Sequence, residues 1–137
     1  MGYRSSVTCI MYAVHLPLSD KTDREAGQNI VNAWLKQRIP DFKEMNGLDL
    51  HSYFEFDANK AVFRCEDWKW YPDYAEVKAL EDLFKEFADT FCVDVEQENG
   101  GYAMEFIRFG EDWADVEAQR RGNYECRLDF HRTIYID

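Results

Sequence analysis

The sequence predicts an α+β fold in which two helices pack on one face of an antiparallel sheet. Three observations point there: short segments whose apolar residues alternate with polar ones, two longer segments whose apolar residues recur at helical spacing, and turn residues between them. At 137 residues the chain fits one domain, residues 1–137. A chain of this length buries about two-thirds of the surface that its unfolded form exposes. Hydrophobic residues make up 46% and aromatic residues 16%, which sets the chain apart from a disordered acidic tail.

Residues 4–16, RSSVTCIMYAVHL, are apolar at both alternating sets of positions: Val7, Cys9, Met11 and Ala13 on one, Ile10, Tyr12 and Val14 on the other. That is the mark of a central strand covered on both faces. Pro17 ends it. Thr22 and Glu25 have the spacing of a capping box, and Ile30, Val31, Trp34 and Leu35 form the stripe of a helix that Ile39 and Pro40 stop. Residues 51–56 (HSYFEF) and 61–66 (AVFRCE) are predicted strands, joined by the polar turn Asp57-Ala58-Asn59-Lys60. Asp73 and Glu76 repeat the cap spacing ahead of Val77, Leu80, Leu83, Phe84, Phe87 and Ala88, a second amphipathic helix. Residues 91–98 (FCVDVEQE) alternate with their acids outward, and Asn99-Gly100-Gly101 turns them into YAMEFIRF, a second hairpin. The last segment, YECRLDFHRTIYID (124–137), alternates as a half-buried terminal strand. The order is that of a ferredoxin-like βαββαβ sandwich with additional C-terminal antiparallel strands.

Twenty-seven Asp and Glu against sixteen Lys and Arg give a net charge of -11. Such a balance repels phosphate backbones and anionic membranes and favours cationic partners. No direct nucleic-acid binding and no membrane interaction are expected. The opening residues show no secretory signal or membrane span, so a cytoplasmic protein is expected. Residues 94–117 carry -7 of the charge: Asp94, Glu96, Glu98, Glu105, Glu111, Asp112, Asp115 and Glu117 against Arg108 alone. Alternate residues of a strand repeat at about 6.6 Å, near the phosphate spacing along one nucleic-acid strand. These carboxylates, with Trp113 as an aromatic contact within FGEDWADVE (109–117), are the expected partner-binding surface. The competing explanation is an acidic edge that prevents aggregation and keeps the protein soluble.

No motif fixes a reaction. His15, His51 and His131 belong to no H-E-x-x-H pattern, and Gly100, Gly101 and Gly110 make no phosphate-binding loop. FGEDWADVE lacks the ligand spacing of a calcium loop. No catalytic residue, cofactor or metal is predicted. Cys9, Cys65, Cys92 and Cys126 each fall in a predicted strand without a C-x-x-C pair, and are expected to be buried thiols. Trp68, Trp70 and Tyr71 are a second aromatic candidate, either core beneath a loop or a contact for a planar ligand or protein. A small enzyme or ligand-binding domain would place a pocket near His51, Trp68 and Trp70, with Glu55 or His131. An oligomeric structural protein would pair through a sheet edge, most simply as a homodimer.

The block EFIRFGEDWADVEAQRRGNYECRLDFHRTIYI, about a quarter of the chain, resembles the ends of small acidic accessory proteins carried by bacterial phages and prophages. In these an R-x-G-E-D-x-x-D-x-E type segment precedes a final strand with Arg then Ile. The resemblance implies a phage accessory origin and no catalytic residue. With the charge, it leads to the expectation of a non-enzymatic inhibitor that binds a Lys/Arg-rich surface of a host nucleic-acid-handling or defence complex in place of nucleic acid.

Overall fold

A computed structural model describes residues 3–14, 21–40, 48–92, 101–122 and 124–128. Among them the order is β1 (Ser5–Val14), α1 (Lys21–Arg38), a 3-10 turn (Leu50–Tyr53), β2 (Phe54–Phe56), β3 (Ala61–Trp68), α2 (Ala75–Phe91), β4 (Gly101–Gly110) and β5 (Val116–Gly122). The protein is α+β, and its described strands form a five-stranded antiparallel sheet in the order β2-β3-β1-β4-β5. No described helix is long and apolar enough to cross a membrane.

Strand β1 is central because both its faces are apolar. It pairs with β4 along its whole length, from Ser5↔Gly110 to Val14↔Gly101. On its other side it pairs with β3, with a register shift between Ser5 and Val7. There Asp67 takes a left-handed φ of 56°, the conformation of an extra residue in a bulge. Strand β3 starts at Ala61, opposite Met11, so the end of β1 needs another partner on that side. Gln28 of α1 supplies it: its Oε1 accepts the Ala13 N–H at 2.9 Å and its Nε2 donates to the Met11 carbonyl at 3.3 Å. Gln28 also donates to Asn32 Oδ1 at 2.9 Å, and Asn32 donates to the Asp57 carbonyl at 2.9 Å. The buried Gln28 amide thus replaces missing ladder bonds, with Asn32 linking it to the β2–β3 turn, since buried backbone groups left unpaired are costly.

The two faces of the sheet bury different sets. Cys9, Met11, Phe63, Met104 and Phe106 face the helices and join Val31 and Leu35 of α1 with Leu80, Phe84 and Phe87 of α2 in the main core. Ile10, Tyr12, Val14, Val62 and Ala103 form a smaller cluster on the opposite face, with Leu128 packed against it. In the turn between β2 and β3, Asp57 Oδ1 accepts the amides of Asn59 and Lys60 at 2.7 and 2.9 Å, which fixes the predicted hairpin.

Several elements depart from the sequence expectation. Thr22 stands inside the first turn of α1 and is not its N-cap; α2 takes Tyr74 as N-cap, without a side-chain bond, so Asp73 does not fill that role. Ile30 is exposed, because Gln28, Asn32, Val31 and Leu35 occupy the buried side of α1. Residues 51–53 close the 3-10 turn, leaving β2 to start at Phe54. Phe91 ends α2 and Cys92 is its C-cap; residues 93–98 of the predicted strand lie outside the described residues. The largest departure is β5. VEAQRRG pairs with β4 from Phe109↔Val116 to Ala103↔Gly122, although it has no apolar alternation and is exposed over most of its length. Its extended state follows from the ladder offered by β4. Residues 124–128 form no strand, and 129–137, with His131, lie outside the described residues. Cys126 is exposed with φ 58°, whereas Cys9, Cys65 and Cys92 are buried. Burial pushes the Cys65 and Cys92 thiols up to about 12, so they stay protonated and pack as small apolar groups.

Candidate functional site

Strand β4 ends at Gly110 and β5 begins at Val116, so FGEDWADVE is a hairpin tip with its flanks. The Gly110 N–H donates to the Asp115 carbonyl and the Asp115 N–H to the Asp112 carbonyl, each at 2.9 Å. Beneath this turn the Asp115 carboxylate is the hub. It accepts two bonds from the Arg108 guanidinium at 2.9 and 3.1 Å and one from the Tyr3 hydroxyl at 2.7 Å. The Tyr3 hydroxyl accepts the Asp112 N–H at 2.9 Å, Arg108 also reaches Ser5 Oγ at 3.1 Å, and Glu111 Oε1 accepts the Arg4 N–H at 2.8 Å. The sheet register explains the meeting: Ser5 lies opposite Gly110, which brings residues 3–5 under the tip. Donation of hydrogen bonds to the Asp115 carboxylate holds the Arg108 guanidinium above its ordinary pKa. On this braced turn Trp113 is 51% exposed, with Glu111 and Asp112 exposed beside it and Glu117 exposed at the start of β5.

Of the carboxylates expected on one partner-binding surface, Glu105 is the correction. It alternates with Met104 and Phe106 and therefore points to the face away from the helices, where it is fully buried. Its Oε2 accepts the Tyr12 hydroxyl at 2.6 Å and the Arg127 N–H at 2.9 Å; its Oε1 accepts the Leu128 N–H at 3.1 Å and Arg120 Nε at 3.3 Å. Burial acts to raise its pKa, but the Tyr12 hydroxyl, the two amides and Arg120 together bring it below the ordinary carboxylate value. Burial, together with the bond to this carboxylate, pushes the Tyr12 phenol far in the alkaline direction. Asp115 is likewise matched by the protein's own Arg108. Asp94, Glu96 and Glu98 lie outside the described residues. Glu111, Asp112, Trp113 and Glu117 are the members of the expected surface that the structure places on the outside.

The aromatic candidates have gone mostly to packing. Trp70 is buried at 6.1 Å from Phe63, and half-buried Trp68 stands edge-on to Tyr53 at 4.8 Å. The Tyr71 hydroxyl accepts the Tyr3 N–H at 2.6 Å, which supports the tip from behind. His51 is exposed on the 3-10 turn. A groove of about 360 Å³ runs between α2 and the β4–β5 hairpin, and a hollow of about 270 Å³ is lined by Tyr53, Glu55, Arg64 and Glu66 among others; neither is lined by His51, Trp68 or Trp70. Among the described residues no group of three or more His, Cys, Asp or Glu is placed to hold a metal ion.

Two features escaped the sequence reading. An acid within the apolar run YAMEFIRF, opposite a central strand, was the available signal for the Glu105 cluster. The bracing of the tip by Tyr3 had none, since 112 residues separate Tyr3 from Asp115. Gly110 is part of that brace: a Cβ there would stand 2.2 Å from Asp115 Oδ2 and 2.3 Å from Tyr3 Oη. Gly110→Ala is therefore expected to unseat both and to cost ~1–3 kcal/mol in urea denaturation. An unchanged midpoint would show that the brace does not support the tip.

Comparison of the chain with protein-family models, with curated proteins and with solved structures finds no match.

Proposed function

We propose that this chain is a non-enzymatic acidic interaction protein that docks on a Lys/Arg-rich protein surface through the β4–β5 tip. The observation that carries the reading is Trp113, half exposed on a turn braced from beneath and accompanied by exposed Glu111, Asp112 and Glu117. An exposed Trp supplies large contact area, carboxylates steer a cationic partner, and a turn held by internal bonds loses little further freedom on binding. The finer reading is a phage-derived inhibitor that covers a basic surface of a nucleic-acid-handling or defence complex; the net charge of -11 favours that class of partner. For the fold, the finer reading is a ferredoxin-like βαββαβ path extended at one edge by β5. It is supported by the antiparallel order β2-β3-β1-β4 and by a helix in each of the β1-to-β2 and β3-to-β4 connections.

The test is capture of an arginine-rich peptide by the immobilised protein at low and high salt. Glu111→Lys combined with Asp112→Lys, and separately Trp113→Ala, are each expected to weaken capture about tenfold, equivalent to ~1.4 kcal/mol. Capture by the unaltered protein should also fall steeply as salt screens the exposed charges. Asp115 is left intact because its reversal would unseat Arg108 and Tyr3, whereas reversal of Glu111 gives up its bond from the Arg4 N–H and leaves that hub in place. Undiminished capture by the charge-reversed protein would remove the tip as the binding surface.

A further inference from the structure

We propose that the groove between α2 and the β4–β5 hairpin seats a Lys or Arg side chain of the partner protein, carried on an apolar-flanked segment, with Glu81 and Glu117 as its counter-charges. This rests on the reading of a cationic protein partner and adds the place where one cation is held.

The floor of the groove is apolar, formed by Phe84 and Ala88 of α2 with Met104 and Phe106 of β4. The register sets its outer wall: Glu117, Gln119 and Arg121 stand opposite Arg108, Phe106 and Met104. The two ends differ in charge. At one, Asp89 binds both Lys85 and Arg121, the latter at 3.2 Å, so the groove's own cations are occupied there. At the other stand Glu81 and Glu117, neither in an ion pair with another described residue. Arg108 faces the same end, but its guanidinium is held by both Asp115 oxygens, and Asp82 is paired with Lys78 at 2.9 Å. Burial and the like charge of Glu117 both raise the Glu81 pKa. The Trp70 indole lies close enough to favour the Glu81 carboxylate, yet its buried Nε1 has no acceptor within hydrogen-bonding geometry among the described residues.

An anionic end over an apolar floor matches a cationic head on an alkyl stem. The alkyl part covers Phe84, Met104 and Phe106, and the head lies between two carboxylates that repel each other without it. The occupant is a protein segment because Glu117 belongs both to this groove and to the flank of the tip, so one partner can engage both.

The experiment titrates the ¹⁵N-labelled protein with a blocked Leu-Lys-Leu peptide and with its norleucine counterpart, which lacks the ammonium group. Saturable shifts are expected at the amides of Phe84, Met104 and Phe106, with the norleucine peptide weaker by roughly fivefold, what an exposed ion pair supplies. Glu81→Gln should bring the two peptides together. Gln119→Trp should block both by filling the groove, with a well-dispersed spectrum showing that each variant is folded. Equal binding of the two peptides to the unaltered protein, or shifts confined to residues 111–114, would overturn the proposal. If no peptide shifts the groove while the tip variants still lose the arginine-rich peptide, the groove falls and the tip stands. If the groove responds and the tip variants capture normally, the tip falls instead.

Discussion

Replacing Glu105 by alanine is expected to cost ~3–5 kcal/mol of folding stability, the range for removing one partner of a buried charged network, and to detach residues 124–128 from the sheet. The carboxylate accepts from four donors contributed by three places in the chain: Tyr12 on β1, Arg120 on β5, and the amides of Arg127 and Leu128. Without it the Arg120 guanidinium and both amides lose the acceptor they share. Among the ties that remain on the segment are the Glu125 N–H to the Tyr12 hydroxyl at 2.6 Å, the Arg127 guanidinium over the Tyr12 ring at 3.9 Å and to the Asn59 carbonyl at 3.0 Å, and Arg120 to the Leu128 carbonyl at 2.9 Å. Tyr12→Phe should cost less, ~1–3 kcal/mol, since it removes one hydroxyl and leaves the charge paired. The pH dependence follows from the direction of the shift. The Glu105 pKa is lower in the folded protein than the ordinary 4.5, so its contribution is fully present above that value and is lost as the pH falls through the folded one. Urea midpoints measured from neutral pH downward should drop more steeply for the unaltered protein than for Glu105→Gln. Parallel curves would mean that the ionised carboxylate does not hold the segment.

What could be read from the residues beforehand was whatever depends on local periodicity. β1 declared itself by apolar residues on both faces, α2 by its stripe from Val77 to Ala88, and the Asp57 turn by its residue types; all three are described as such. What depends on register was not legible. Counting acids along residues 94–117 made Glu105 and Asp115 equal to Glu111. Pairing of β4 with β1 sets Glu105 opposite Ile10, and pairing with β5 sets it opposite Arg120; neither partner is near it in the chain. Strand β5 was missed for a related reason. VEAQRRG has no pattern of its own, and an edge strand solvated over most of its length takes its conformation from its neighbour's unpaired backbone. Gln28 and Asn32 broke the helical stripe of α1 because they answer to the backbone of β1 and to Asp57, not to the apolar core. The candidate site was legible as far as Trp113 and its acidic neighbours, and the groove behind it only once α2 was placed against β5.

Gly122→Ala is the second substitution expected to be severe, at ~2–4 kcal/mol, combining left-handed strain with overpacking. Gly122 has φ +76°, and a Cβ there would stand 2.1 Å from the Tyr102 carbonyl oxygen and 3.0 Å from Cys92 Cβ. A flexible side chain would yield, but this oxygen belongs to β4, where Tyr102 is paired with Ala13 of the central strand. The end of β5 must therefore move, breaking the Ala103↔Gly122 pair. Gly122 stands two residues before the described segment 124–128, so moving it is expected to disturb the two amides that Glu105 accepts. The two substitutions act on one segment and should not add: Glu105→Ala with Gly122→Ala should lose clearly less stability than the sum of the single losses. Hydrogen exchange of the Gly122→Ala protein should accelerate in β5 and at 124–128, with β1 and β3 still protected. Additive losses in the double variant, or acceleration spread evenly over the sheet, would separate Gly122 from the Glu105 clamp and leave its effect as local strain alone.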